Sequence, residues 1–121
     1  EGVVRLLLDT RADIEAKDGC SNTPLLFAVK ERHEGVARLL LEEGAAVNAA
    51  DCQNATPLIL AASLGDENLV RLLVEKGADT EAKNKKGNTP LQCAMSNKHK
   101  AVSKALIELG AKKSLRVRLF L

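Results

Sequence analysis

The sequence predicts an all-α fold, a solenoid of stacked helix pairs with loops projecting between them, on three observations. The triplet Thr-Pro-Leu occurs at Thr23-Pro24-Leu25, Thr56-Pro57-Leu58 and Thr89-Pro90-Leu91, each copy 33 residues after the last. Gly44-Ala45, Gly77-Ala78 and Gly110-Ala111 keep the same period, each pair beginning 21 residues after its threonine. Aromatic residues make up only 2% of the 121-residue chain, with no Trp or Tyr, while hydrophobic residues reach 45%. Short Ala, Val and Leu side chains let helices stack closely, whereas a single globular core usually relies on large aromatic anchors. A strict period of this size marks a repeat array, in which each unit shares its core with its neighbours.

Residues 1–17 correspond to residues 67–83, with Val4, Leu6, Leu7 and Leu8 in the places of Val70, Leu72, Leu73 and Val74. They read as the second half of a unit, so the sequence predicts a piece of a longer array. The first whole unit spans 18–50. Thr23 is its N-cap, the hydroxyl accepting from an orphan backbone N–H, and Pro24 takes the first helical position, where no N–H is needed. Leu25, Leu26, Ala28 and Val29 form the first helix, a break falls near Arg32-His33, and Val36, Leu39 and Leu40 mark a second helix. Gly44 supplies the left-handed residue that ends it. The segment Ala45 to Asp51 has no helical period and predicts a projecting loop or hairpin.

The second unit, 51–83, repeats this plan with Leu58, Leu60, Ala61 and Ala62, a turn at Gly65-Asp66, then Leu69, Leu72 and Leu73 before Gly77. The third, 84–116, is looser: Gln92 stands in an apolar slot, Met95 replaces a small residue, and Ser103 and Ala105 thin the second helix, which suits the end of a stack. Leu115, Val117, Leu119 and Leu121 recur at the period of a strand, with Arg116 and Arg118 between the first three. The tail at 117–121 predicts either a cover for the last helix pair or a docking strand.

Composition excludes several classes. No apolar run approaches the roughly 20 residues that span a bilayer. Cys20, Cys52 and Cys93 are odd in number and lack CxxC spacing, so they read as reduced thiols of an intracellular protein, cytoplasmic or nuclear, and not as a disulfide framework or zinc site. His33 and His99, the two histidines, fall in inter-helix turns two units apart and cannot share a metal. No phosphate loop, HExxH or Gly-x-Ser-x-Gly occurs. The sequence therefore predicts no enzyme, cofactor or metal. Net charge is +2, but residues 1–83 carry 9 Lys/Arg against 15 Asp/Glu, and residues 84–121 carry 9 against 1. One end is acidic and the other basic, a hint about partners and not about fold.

The units resemble ankyrin repeats, whose pattern runs Gly-x-Thr-Pro-Leu-His-x-Ala-Ala, Gly-His, Val-Val-x-Leu-Leu-Leu, Gly-Ala-Asp-Val-Asn-Ala. Here Asn54-Ala-Thr-Pro-Leu-Ile-Leu-Ala-Ala62, Gly65-Asp66, Leu69-Val-Arg-Leu-Leu-Val74 and Gly77-Ala-Asp-Thr-Glu-Ala82 match it. The resemblance covers the chain to about Lys113. It implies three full repeats after a partial one, β-hairpin loops at a right angle to the helices, and a curved array. Departures accompany it. The histidine after Thr-Pro-Leu is replaced by Leu26, Ile59 and Gln92, implying a weaker polar network between loops. Ser21 and Asn54 stand where the pattern has glycine before the triplet, and Arg32 and Lys98 where it has glycine between helices, implying local strain.

By resemblance, the function expected is that of a protein-interaction module binding a protein partner through hairpin tips and the concave face of the first helices. The tip candidates are Lys17, Asp18, Cys20 and Asn22; Asp51, Gln53 and Ala55; and Lys83, Asn84, Lys85, Lys86 and Asn88. On the first helices they are Lys30 and Glu31, Ser63 and Leu64, and Ser96 and Asn97, with Leu64 the one apolar member and the expected hot spot. Asn48 lies in a context resembling asparagines hydroxylated in some ankyrin arrays. A structural spacer within a longer repeat protein is an alternative, since solenoid units contact mostly their neighbours. Nucleic acid or an anionic membrane is a second alternative, through Lys85, Lys86, Lys98, Lys100, Lys104, Lys112, Lys113, Arg116 and Arg118. Their scatter over loop, helix and tail argues against it.

Overall fold

The structure is a computed structural model that describes residues 14–111. Most of the partial first unit, the 117–121 tail and the basic residues Lys112, Lys113, Arg116 and Arg118 lie outside the described residues. Six helices follow in pairs: α1 (Pro24–Lys30) with α2 (Glu34–Glu42), α3 (Pro57–Leu64) with α4 (Glu67–Glu75), and α5 (Pro90–Ser96) with α6 (Lys100–Glu108).

Each first helix begins as its triplet dictates. Thr23, Thr56 and Thr89 have extended backbones, and their hydroxyls accept from the N–H groups of Leu26, Ile59 and Gln92 at 3.3, 3.2 and 3.3 Å. Gln92 returns the bond, its side-chain oxygen accepting from the Thr89 N–H at 2.9 Å to complete a capping box. Leu26 and Ile59 in the same slot are buried instead. One slot therefore serves the core in two units and the polar cap in the third.

Short turns fold each second helix back on the first. They are closed by His33 N–H to Ala28 O, Asp66 N–H to Ala61 O and His99 N–H to Ala94 O, at 2.8 to 3.1 Å. Asp66 also caps α4, its carboxylate accepting from Leu69 N–H at 3.2 Å. First helices stack on first helices (α1, α3, α5) and second on second (α2, α4, α6). A continuous apolar core runs through the stack, with Leu25, Val29, Leu58, Leu69, Val70, Leu73, Leu91 and Leu106 fully enclosed. No single centre organises it. Ser103, in the thin stripe of α6, is also buried, and its hydroxyl donates to the His99 carbonyl at 2.9 Å, which satisfies it within its own helix.

The departures from the repeat pattern fall where backbone handedness matters. Ser21, Arg32, Asn54 and Lys98 all take left-handed φ between 58° and 61°. A side chain there costs roughly 1–2 kcal/mol, and glycine returns part of this as extra entropy in the unfolded chain. Lys98→Gly should therefore stabilise the exposed turn before α6 by about 0.5–1 kcal/mol. An increase in the urea midpoint checks this.

Candidate interaction surface

The three projecting loops share one construction, set by an Asp or Asn five residues before each threonine. Asp18 Oδ1 accepts from the N–H groups of Cys20 and Asn22, both at 2.9 Å. Asp51 Oδ1 accepts from Gln53 and Ala55 at 2.8 and 3.0 Å, and Asn84 Oδ1 from Lys86 and Asn88 at 3.0 and 3.1 Å. The backbones of residues 18, 51 and 84 donate across the loop to the carbonyls of Asn22, Ala55 and Asn88.

No strand occurs among the described residues, and each tip closes as a tight hairpin turn. In the bulged form of hairpin a type I turn is followed by a left-handed residue whose N–H returns to the first carbonyl of the turn. Here Ser21, Asn54 and Gly87, at φ 61°, 60° and 80°, are those left-handed residues, and their N–H groups donate to the carbonyls of Asp18, Asp51 and Asn84. The tips are side-chain-locked turns.

Successive tips are joined to one another. Cys52 N–H donates to Cys20 O at 2.9 Å, and Lys85 N–H to Gln53 O at 3.0 Å. At the loop bases a second series connects units: Ala46 N–H donates to Glu15 Oε2 and Asp79 N–H to Asn48 Oδ1, both at 2.8 Å. Asn48 thus links its unit to the next. Lys30 Nζ reaches Asn22 Oδ1 at 2.6 Å and Asp51 Oδ2 at 3.5 Å, bridging the first and second loops. The polar network between loops is carried by these groups without the histidine of the repeat pattern.

The Asn22 N–H is the main influence that holds the Asp18 carboxyl below its ordinary value of 3.8, with the Cys20 N–H assisting against desolvation. Because the folded value is the lower one, this support is present above the ordinary value and is lost as pH falls through the folded one. Asp51→Ala should cost about 1–2 kcal/mol by orphaning two loop N–H groups. Asp51→Asn should cost less, since Asn84 makes the same two bonds in its own loop. Urea denaturation of both variants measures the difference.

The candidate residues divide accordingly. Ala55 is only 8% exposed and packs with Ile59 and Cys93, so it does not present a contact surface. It is enclosed because the next unit stacks over it. Asn22 is 9% exposed and held by Asp18 and Lys30. Asp18, Asp51 and Asn84 spend oxygens on their own loops, and Asn88 is half-buried. Lys17, Cys20, Gln53, Lys83, Lys85 and Lys86 stand exposed along the tips. Lys17, Lys83, Lys85 and Lys86 form no ion pair among the described residues. On the first helices Glu31, Ser96 and Asn97 are exposed and Ser63 and Leu64 half-buried. The Ser63 carbonyl accepts from Asn97 Nδ2 at 3.1 Å and meets His99 Nε2 at 3.0 Å, and the Leu64 carbonyl accepts from Arg32.

Phe27, absent from the sequence candidates, is 47% exposed. It occupies the slot of Leu60 and Cys93, and Cys93 packs against Ile59 and Ala55 of the unit before it. That slot faces the preceding unit, and no described helix stands in front of Phe27. The signal was present in the alignment of units, but it required knowing which way the slot points.

No group of three or more His, Cys, Asp or Glu residues that could hold a metal occurs among the described residues. None of the described helices is long and apolar enough to cross a membrane. Helix pairs that share a linear core and hold a row of locked loops in register define a repeat scaffold. This chain belongs to the ankyrin-repeat family: the family model described as ankyrin repeats, in three copies, matches residues 1–84 and 47–117. A search of curated proteins returned no match. Ankyrin repeats are in general protein–protein interaction modules, and the family is typically a non-enzymatic scaffold.

Proposed function

We propose that this chain binds a protein partner across its loop tips and the adjoining face of its first helices. The observation that carries the reading is the register of the tips. Backbone bonds from Cys52 to Cys20 and from Lys85 to Gln53 hold three loops as one row, and the side chains outside the locking network point to solvent. Such a surface is organised before binding, so little ordering cost is left for the encounter. The contact set is Lys17, Cys20, Gln53, Lys83, Lys85 and Lys86 at the tips, with Glu31, Leu64, Ser96 and Asn97 beside them. Three exposed lysines at the third tip favour a partner that brings carboxylates.

The test is affinity capture from lysate with the chain and with a variant carrying Gln53→Ala, Leu64→Ala, Lys85→Ala and Lys86→Ala, after circular dichroism shows that both fold. A protein retained by the first and lost by the second supports the surface. Retention by both moves the contact elsewhere on the scaffold. Capture of nothing beyond salt-sensitive background favours a spacer.

A further inference from the structure

The two cysteines with exposed thiols belong to different units, yet the fold places their backbones side by side. Cys20 sits at the first tip and Cys52 at the second. The bond from Cys52 N–H to Cys20 O, at 2.9 Å, clamps the two backbones together. A disulfide needs Cα atoms roughly 4.4–6.8 Å apart, and this direct backbone bond keeps the two residues in adjacent positions. Nothing equivalent occurs at the next junction, where Gln53 stands opposite Lys85. The third cysteine, Cys93, is buried between units, beside the Asn84 amide at 3.9 Å.

We propose that Cys20 and Cys52 are a redox modification site, a dithiol that a low-molecular-weight disulfide converts to an intramolecular cross-link between adjacent loop tips. The chemistry closes in two exchanges. The thiolate of one cysteine attacks a sulfur of glutathione disulfide and expels one glutathione thiolate. The second cysteine then attacks the mixed disulfide, forming the Cys20–Cys52 bond and expelling the other glutathione. The two protons lost by the cysteines are taken up by the two departing thiolates. Two cysteines are oxidised and one glutathione disulfide is reduced.

Because a backbone bond already holds the two residues together, the second cysteine meets the mixed disulfide within the same chain, and the folded chain favours the intramolecular bond over a second glutathione adduct. The Cys52 thiol, followed by the Asp18 carboxylate, pushes the Cys20 thiol up from its ordinary value. The thiolate is the attacking species, so the exchange quickens as pH rises. Once formed, the bond ties the first and second loops covalently and closes a ring through the whole first helix pair.

The full chain is incubated with glutathione disulfide, alkylated and digested with trypsin, which releases Cys20 in peptide 18–30, Cys52 in 39–71 and Cys93 in 87–98. The expected product is a monomer in which 18–30 is linked to 39–71 and Cys93 remains alkylated. In 6 M urea, roughly enough to unfold most small domains, the selectivity should vanish. The oxidised chain should also show a higher urea midpoint, reversed by dithiothreitol and absent in Cys52→Ser. Separate glutathione adducts on Cys20 and Cys52, a dimer linked between chains, or linkage through Cys93 would each overturn the proposal. So would a cross-linked chain with a lowered midpoint, since the bond would then distort the tips it is inferred to fit.

Discussion

Gly65→Ala should destabilise the chain by about 2–3 kcal/mol, from two independent causes. Gly65 ends α3 with φ +75°, a left-handed conformation in which a Cβ costs roughly 1–2 kcal/mol. An added Cβ would also stand 2.5 Å from His99 Nδ1 and 2.7 Å from Cε1, so the ring must move. His99 would then give up its 3.0 Å contact with the Ser63 carbonyl, which links the second and third units. The companion measurement separates the causes. In a double-mutant cycle, Gly65→Ala should cost less in a His99→Ala background, because the ring is no longer in the way while the backbone penalty remains. Equal costs in both backgrounds would show that the ring yields freely and that handedness alone matters.

The second large effect belongs to the shared core. Leu69→Ala should cost about 3 kcal/mol, within the 2–5 kcal/mol typical of enclosed leucines. Leu69 is fully buried on α4, and its helix packs against α3 within its unit and against α2 and α6 of the units on either side. The cavity is therefore lined from several sides, and no single helix can settle into it without leaving another contact. In a linear array the loss is transmitted through unit-to-unit interfaces, so the whole urea transition should move and not one unit alone. The control is Leu64→Ala on the half-buried edge of α3, expected to cost below about 1 kcal/mol because less area leaves water there. Comparable midpoints for the two variants would contradict the core assignment.

Both predictions rest on residues whose roles are unequally legible in the chain. Leu69 was readable as core, because its helical spacing and the apolar residues at the same slot of the other units, Val36 and Val102, are properties of the sequence itself. Gly65 was readable as a turn residue, but its closeness to the His99 ring depends on how two units stack. The same division runs through the candidate surface. Placing Lys83, Lys85 and Lys86 at a tip required only the position of Thr89. Finding that Ala55 is enclosed, that Asn22 is held by Lys30 and that Phe27 is open required the neighbour on each side.

By itself the sequence determined the period, the helix caps at Thr23, Thr56 and Thr89, the helix stops at Gly44, Gly77 and Gly110, and with them the family. These are local matters of backbone hydrogen bonding and handedness, settled within one unit. The tertiary structure alone decided which loop residues lock and which remain free, how the tips align, and that the Cys52 N–H bonds to the Cys20 carbonyl across 32 positions of chain. Those outcomes come from stacking, where the partners of a side chain lie in the next unit and the distance between them is set by helix packing.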